Sequence, residues 1–382
     1  MIYLDNAATT RPYPEVTEII SRMNEEFYAN PSSMHAAGYA AEKKLKDAKE
    51  LIMKSIGAKS GELVFTSGGT ESNNQIFFGV LKNAIKRKPH IITSAIEHPS
   101  VLEVVKFLES LGCEVTYVAP DARGIISADA VVSEIRENTK IVSIMAVNNE
   151  TGAINPIADI TKKVKAQNSD IIVHSDCVQA MGNIKISVDK WGVDAISVSA
   201  HKICGPKGVG ALFVSDKVKL LPFVLGGHQQ KNLRSGTENV PGIVGFMKAC
   251  EITDKTFLQK SENLYLLKQM LIDRLENFDG ATINNKESIY TSHIVSIRIK
   301  DVRAEVLLHT LESYGICVSA GSACSTNKPA PSHVLSAQGF SKKHIEETIR
   351  VSLGAYNTID EVNAFCDILI KEATSLSRFT RV

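Results

Sequence analysis

Ser199-Ala200-His201-Lys202-Ile203-Cys204-Gly205-Pro206-Lys207-Gly208 places a lysine beside a histidine in a glycine-punctuated turn. Residues 193–199 before it alternate apolar with small or polar side chains, and residues 209–214 after it form a second apolar run, so both read as strands. Lys202 therefore sits on a tight turn between two strands. A solvated surface lysine needs no such framing. An amine that attacks carbonyls must be partly desolvated or placed near cations, so that it is neutral often enough to react. Lys207 is the next positive charge in the chain and would help to lower the amine's pKa. The plain alternative is an ordinary surface lysine.

About one supersecondary unit earlier, Ile171-Ile172-Val173-His174-Ser175-Asp176 is an apolar strand that ends on a carboxylate. In an enzyme using pyridoxal phosphate, an aspartate here keeps the pyridine nitrogen protonated and makes the ring an electron sink, while a lysine holds the aldehyde as a Schiff base. Asp176 and Lys202 fit those two positions; the simpler reading of Asp176 is a cap for a following helix. The stretch Leu63-Val64-Phe65-Thr66-Ser67-Gly68-Gly69-Thr70-Glu71-Ser72 turns from a strand through two glycines into a helix. Backbone N–H groups and the positive end of the helix dipole there suit a phosphate. It is not a Walker loop, because no Gly-Lys-Ser/Thr follows.

Two more strands end on polar groups. Residues 90–94 lead to Glu97-His98-Pro99, and residues 141–147 lead to Asn148-Asn149-Glu150-Thr151. His98 can stack on a planar ring and Asn149 can bond its hydroxyl. Taken singly, His98 is a helix-start residue before Pro99 and the Asn pair is a turn former. Five polar clusters nevertheless fall at the carboxyl ends of successive predicted strands, where open α/β sheets bind their ligands.

These stretches, with Tyr3-Leu4-Asp5-Asn6-Ala7-Ala8-Thr9-Thr10, Asn30-Pro31-Ser32-Ser33, Arg234-Ser235-Gly236-Thr237 and Gly321-Ser322-Ala323-Cys324, make the chain resemble the cysteine desulfurases over essentially its whole length. Those are pyridoxal-phosphate enzymes of the aspartate-aminotransferase fold, in the aminotransferase class V group. The resemblance implies that Lys202 binds the cofactor covalently, Asp176 meets the pyridine nitrogen, and His98 stacks on the ring and shuttles protons. It implies that Gln179 and Asn149 contact the ring hydroxyl or the substrate. Gly69, Thr70, Ser199 and His201 would hold the phosphate, with Thr237 reaching across from a second subunit of a homodimer.

The segment around Cys324, residues 319–331, contains almost nothing that anchors a core and reads as a mobile loop. Mobility suits a thiolate that takes sulfur inside a pocket and carries the persulfide out; an incidental loop cysteine is the alternative. The loop has the length of the long-loop class, whose members feed iron–sulfur cluster assembly and tRNA thiolation. Arg350 lies in an apolar strand-like run, Thr348-Ile349-Arg350-Val351-Ser352, where its guanidinium wants a partner. A substrate carboxylate is the functional reading, and the one the family implies, whereas an internal ion pair is the plain one.

The expected reaction is L-cysteine to L-alanine with a persulfide left on Cys324. The alternative is a selenocysteine lyase or another C–S lyase of the same fold, which would not need Cys324; a docking subunit with vestigial catalysis is the rival of a different class. The chain ends at Leu376-Ser377-Arg378-Phe379-Thr380-Arg381-Val382, where housekeeping members extend further with a tail that docks the cluster scaffold. The resemblance thus leaves the sulfur acceptor open among a scaffold, a tRNA-modifying enzyme and a dedicated cluster system.

Composition agrees with this reading without pointing to it. The 382 residues are 44% hydrophobic and 22% charged, as in ordinary globular proteins, and allow two or three domains. A net charge of +1 argues against a nucleic-acid surface or a membrane-binding face, and no secretion signal or membrane-length apolar run is present. The expected location is the cytoplasm. Seven scattered cysteines fit reduced thiols better than a disulfide framework, and Cys177 and Cys204 are expected near the cofactor. His201 and Cys204 have an H-x-x-C spacing but no second pair beside them, so no zinc site is expected.

The predicted architecture is α/β. A large domain, residues 13–250, carries a mostly parallel, seven-stranded type of sheet flanked by helices. A smaller α+β domain of residues 1–12 and 251–382 carries the Cys324 loop, and its strand-helix-strand reading covers residues 294–299, 304–314 and 316–319.

Overall fold

A computed structural model of the protein describes residues 1–287, 289–320 and 331–379. Its strands, in chain order, are β1 (Ile2–Tyr3), β2 (Glu62–Thr66), β3 (His90–Ser94), β4 (Glu114–Val118), β5 (Thr139–Ser143), β6 (Ile172–Asp176) and β7 (Ala195–Ser199). They continue as β8 (Gly210–Val214), β9 (Ala281–Ile283), β10 (Ile294–Ile299), β11 (Ile316–Cys317), β12 (Ser319–Ala320) and β13 (Thr348–Ser352).

Seven of them form one sheet in the order β2-β8-β7-β6-β5-β3-β4. All neighbours run parallel except β8, which is antiparallel to both β2 and β7. Alternation along the strands explains why both faces are covered. Ile91, Ile141, Ala195 and Leu212 pack into one core, while their neighbours Ile92, Val142, Ile196 and Phe213 pack into the other. Helices cover the two faces, and the carboxyl ends of the parallel strands are left for loops.

A second sheet, β12-β13-β10-β9, is antiparallel throughout, and β1 pairs with β11 in parallel. Its core is separate, built from Leu4, Val295, Ile297, Ile349, Val351 and Phe365 among others. The 37-residue helix Val240–Glu276 serves both cores. Ile243, Phe246 and Ala249 in its first half belong to the large one, and Leu264, Leu267 and Leu271 in its second half to the small one. Asn239 caps its start, the side chain accepting from the Gly242 N–H at 3.1 Å.

Three sequence expectations change in detail. The strand expected over residues 316–319 is two short pieces in different sheets, because residue 318 carries the chain from β1 across to β13. The strand expected over 141–147 ends at Ser143, and the chain then folds back on itself, with Asn155 N–H bonding the Ala146 carbonyl at 2.9 Å. No helix follows Asp176 directly; residues 177–184 turn, and the next helix is Val188–Trp191.

Candidate active site

A cavity of about 410 Å³ opens at the carboxyl ends of the strands, lined by Gly69, Thr70, His98, Asn149, Asp176, Gln179, Ser199, His201, Lys202 and Arg350. Every cofactor or substrate residue expected from the sequence therefore lies on its wall, except Thr237. That residue is exposed and does not line the cavity. Cys324 lies outside the described residues.

β7 delivers Ser199, and the single 3₁₀ turn Ala200–Lys202 that follows carries the lysine to the cavity wall. Lys202 Nζ donates to the carbonyls of Ala7 (2.5 Å) and Ala8 (2.7 Å), in the N-terminal segment that lies over the turn. Gln179 Nε2 donates to the same Ala7 carbonyl at 2.9 Å, and its Oε1 faces His293 Nε2 at 3.3 Å. His201 Nδ1 sits 3.1 Å from Thr9 Oγ1, and burial, with Lys202 and Lys207 adding to it, lowers the imidazole to about 4. His201 is therefore neutral near pH 7 and keeps one N–H to donate.

Asp176 is 4% exposed at the end of β6. Its Oδ1 accepts from the Val178 N–H at 2.9 Å and its Oδ2 from Asn73 Nδ2 at 2.7 Å. The carboxylate thus closes its own turn rather than capping a helix. Asn73 Nδ2 also reaches Ser100 Oγ at 2.8 Å, and Ser100 Oγ lies 2.8 Å from His98 Nδ1. His98 is the N-cap of the helix Pro99–Ser110, with Nδ1 accepting from the Ser100 N–H at 3.1 Å. His98 thus starts a helix and at the same time lines the cavity. Burial holds its pKa below the ordinary value, against the nearby Asp176 carboxylate.

The helix Gly69–Leu81 brings its N-terminal residues Gly69 and Thr70 to the cavity wall. A Cβ at position 69 would stand 2.6 Å from Val178 Cγ2, so any larger residue there would have to displace that side chain. A neighbouring hollow of about 430 Å³ shares Gly69, Thr70, Ser199 and His201 with the cavity and adds Ser67, Gly68 and Lys207. Backbone donors, a helix N-terminus and a lysine make that end a place for an anion.

Arg350, 6% exposed on β13, donates through NH2 to Asp5 Oδ1 at 2.8 Å and through NH1 to the Asn149 carbonyl at 2.9 Å. The ion-pair reading is thus realised in this structure, with the guanidinium still on the cavity wall and its Nε lacking a protein partner. Behind His98 and Asn149 stand two buried carboxyls. Glu97, raised to about 8 by burial, accepts at Oε1 from Ser94 Oγ (2.5 Å) and the Met145 N–H (2.9 Å). Glu150, raised to about 7 by burial, accepts from Ser332 Oγ, and next to that serine His333 Nε2 bonds the Glu97 carbonyl at 2.9 Å.

Asn73, Ser100 and Asp5 escaped the sequence reading as site residues. Asp5 stands inside a quoted motif and Asn73 directly after one, but their partners lie far along the chain, Asn73 being 103 positions from Asp176. Cys177 and Cys204, expected beside the cofactor, pack instead into the large core and do not line the cavity. Burial raises both thiols. None of Cys113, Cys177, Cys204, Cys250, Cys317 and Cys366 is in a disulfide. Among the described residues no cluster of three or more His, Cys, Asp or Glu is placed to hold a metal, and no helix is long and apolar enough to cross a membrane.

The family model for aminotransferase class-V matches residues 2–365. Cysteine desulfurase IscS of Dictyoglomus turgidum is 42% identical over 369 residues, 96% of this chain and 93% of its own length. Cysteine desulfurase of Trichormus azollae is 40% identical, covering 99% and 95%. Among solved structures, a NifS-like protein superposes with a TM-score of 0.93 at 39% identity, over 98% of this chain and all of its own (100%). The structure of SspA in complex with cysteine gives 0.82 at 36%, over 94% and 100%. With the family model matched over residues 2–365 and relatives alike in sequence and structure along nearly their whole lengths, this chain belongs to the class-V aminotransferase family, among its pyridoxal-phosphate-dependent cysteine desulfurases.

Proposed function

We propose that the chain removes sulfur from L-cysteine, releasing L-alanine and keeping the sulfur as a persulfide on Cys324. The observation that carries this reading is the meeting of Lys202, Asp176 and the Gly69–Thr70 turn on the walls of one cavity. The residues fit pyridoxal phosphate: an amine for its aldehyde, a buried carboxylate for its ring nitrogen, and a helix N-terminus on the cavity wall for its phosphate. When bound, the cofactor supplies an electron sink for the substrate's α-carbon.

In this reading Lys202 and Asp176 hold the two ends of the cofactor's reactive axis. Gly69, Thr70, Ser199 and neutral His201 take the phosphate, joined by Thr237 of the partner subunit. Gln179 and Asn149 face the ring hydroxyl or the substrate. His98 would lie against the ring and turn an imidazole N–H toward the reacting atoms. Arg350 takes the substrate carboxylate on the donors left beside Asp5 and Asn149. Cys324 acts as a thiolate: its sulfur bonds to the substrate sulfur as the substrate C–S bond breaks, and the carbon takes a proton and leaves as alanine.

A homodimer is supported by the exposed Tyr28, Met34, Phe223 and Leu225, and by Thr237 lying outside its own cavity. The division into residues 13–250 and residues 1–12 with 251–382 is supported by the two separate cores. We place the enzyme in the cytoplasm, passing its sulfur to an acceptor protein for iron–sulfur cluster assembly or tRNA thiolation.

The test is alanine release from L-cysteine, with a thiol reductant present, by the wild type and by Cys324→Ala, with selenocysteine as a parallel substrate. Alanine that disappears with the substitution supports the persulfide route. Equal alanine without Cys324 makes the protein a lyase that expels the chalcogen directly, and no alanine from either substrate by cofactor-loaded enzyme ends the reading.

A further inference from the structure

Asn73 and Ser100 stand between the Asp176 carboxylate and His98, and the hydrogens they carry can be placed one at a time. The Ser100 backbone N–H can only donate, and it points at His98 Nδ1 from 3.1 Å. That nitrogen is therefore bare. The Asn73 amide must turn its nitrogen toward Asp176 Oδ2 at 2.7 Å, since the opposite flip would set an oxygen against a carboxylate. The same nitrogen spends its other hydrogen on Ser100 Oγ at 2.8 Å. With its oxygen already accepting, the Ser100 hydroxyl directs its single hydrogen to His98 Nδ1, also at 2.8 Å. The forced orientation has a visible cost: Asn73 Oδ1 is buried without a protein partner.

We infer that Asn73 and Ser100 are positioning residues that fix His98 as the Nε2–H tautomer. Neutral His98 then offers a hydrogen-bond donor, not a lone pair, through the nitrogen left for a bound molecule. Such a donor stabilises negative charge developing at the atom it faces. A proton can enter Nδ1 only by displacing both Ser100 donors and breaking the helix cap. The charged and titratable groups that face His98 are Asp176 at the end of β6, Lys202 after β7 and His333 of the helix His333–Ala337; the first favours the imidazolium and the other two oppose it, as burial does. The tautomer is a property of this chain alone. Only its catalytic consequence rests on the function proposed above.

The test is a long-range proton–nitrogen NMR correlation on holoenzyme labelled with ¹⁵N-histidine, the His98 signals being identified by their loss in His98→Gln. The expected spectrum near neutral pH shows Nδ1 bare and Nε2 protonated. Ser100→Ala removes one of the two donors to Nδ1 and should move the His98 titration midpoint up by about half to one pH unit. Asn73→Ala, which leaves the serine hydroxyl free to turn away, should shift it in the same direction by less. The acid limb of the kcat/KM profile should follow to higher pH in both. A protonated Nδ1 in the wild type, or a midpoint unchanged in Ser100→Ala, overturns the inference. The wild-type spectrum alone decides the tautomer even where a variant fails to fold. Absence of alanine release with the expected tautomer present would count against the proposed function and leave the tautomer standing.

Discussion

Two cavities of the molecule differ sharply in character. The larger, about 670 Å³, lies between the end of the helix Ala36–Ser55, residues 181–191 and the middle of the helix Val240–Glu276. Met181, Ile184, Ile186, Trp191, Phe257 and Leu258 form much of its wall, with Lys54, Lys185 and Lys190 also on it. The smaller, about 410 Å³, gathers residues from after β2, β3, β5, β6 and β7 and from β13. Volume thus favours the first and chemistry the second. A parallel sheet turns the ends of its strands, and the polar loops that follow them, toward one edge, so residues distant in sequence converge there without any need for a large void.

Substitutions on the two walls should separate the cavities sharply. Lys202→Ala should abolish the visible absorption band of the lysine-bound cofactor and lower alanine formation by about 10⁴-fold, the upper range for a group that handles protons. Leu258→Ser, on the exposed rim of the larger cavity, should leave both unchanged in the same spectra and assay. Retention of the band in Lys202→Ala would mean that the smaller cavity does not hold the cofactor through Lys202.

A smaller effect is expected at Arg350. Arg350→Gln should raise KM for cysteine about 10- to 100-fold with a lesser change in kcat, because hydrogen bonds to charged groups contribute about 1.5–3 kcal/mol. Steady-state kinetics read the split, and an unchanged KM would mean that Arg350 serves only its ion pair with Asp5.

A further effect, on stability rather than on catalysis, is expected at Glu97. Glu97 holds its proton up to about pH 8 in the folded chain and to about 4.5 when exposed. Its folded pKa is the higher one, so its contribution to stability is full below pH 4.5 and is lost as pH rises to 8. One pH unit corresponds to about 1.4 kcal/mol, which makes the loss a few kcal/mol at most. Glu97→Gln removes the titration, so its Tm should rise relative to the wild type between pH 5.5 and pH 8.5. A constant difference between the two proteins would show that the carboxyl is not held protonated.

How much of the site could be read in advance varied with the range of the interaction. Lys202, Asp176, Gly69 and His98 each end or follow an apolar run that local periodicity marks as a strand, and the turns beside them have their own conformational reasons. Arg350 was visible as a charge in an apolar strand, but its partner Asp5 lies 345 positions away. No propensity connects them. Ser100 sits in the first turn of one helix and Asn73 in the second turn of another, and they look like polar residues near helix starts until β6 brings the Asp176 carboxylate beside them.

By itself the sequence determined the succession of strands and helices, the position of each polar cluster after its strand, and the kind of chemistry those clusters can perform. Periodicity, glycine conformation and strand-end polarity are properties of neighbouring residues. Only the tertiary structure decided that Arg350 is paired with Asp5, that Cys177 and Cys204 belong to the core, and that His98 keeps its proton on Nε2. Each of these depends on a hydrogen bond or a packing contact between segments far apart in the chain, and such contacts exist only once the sheet has closed.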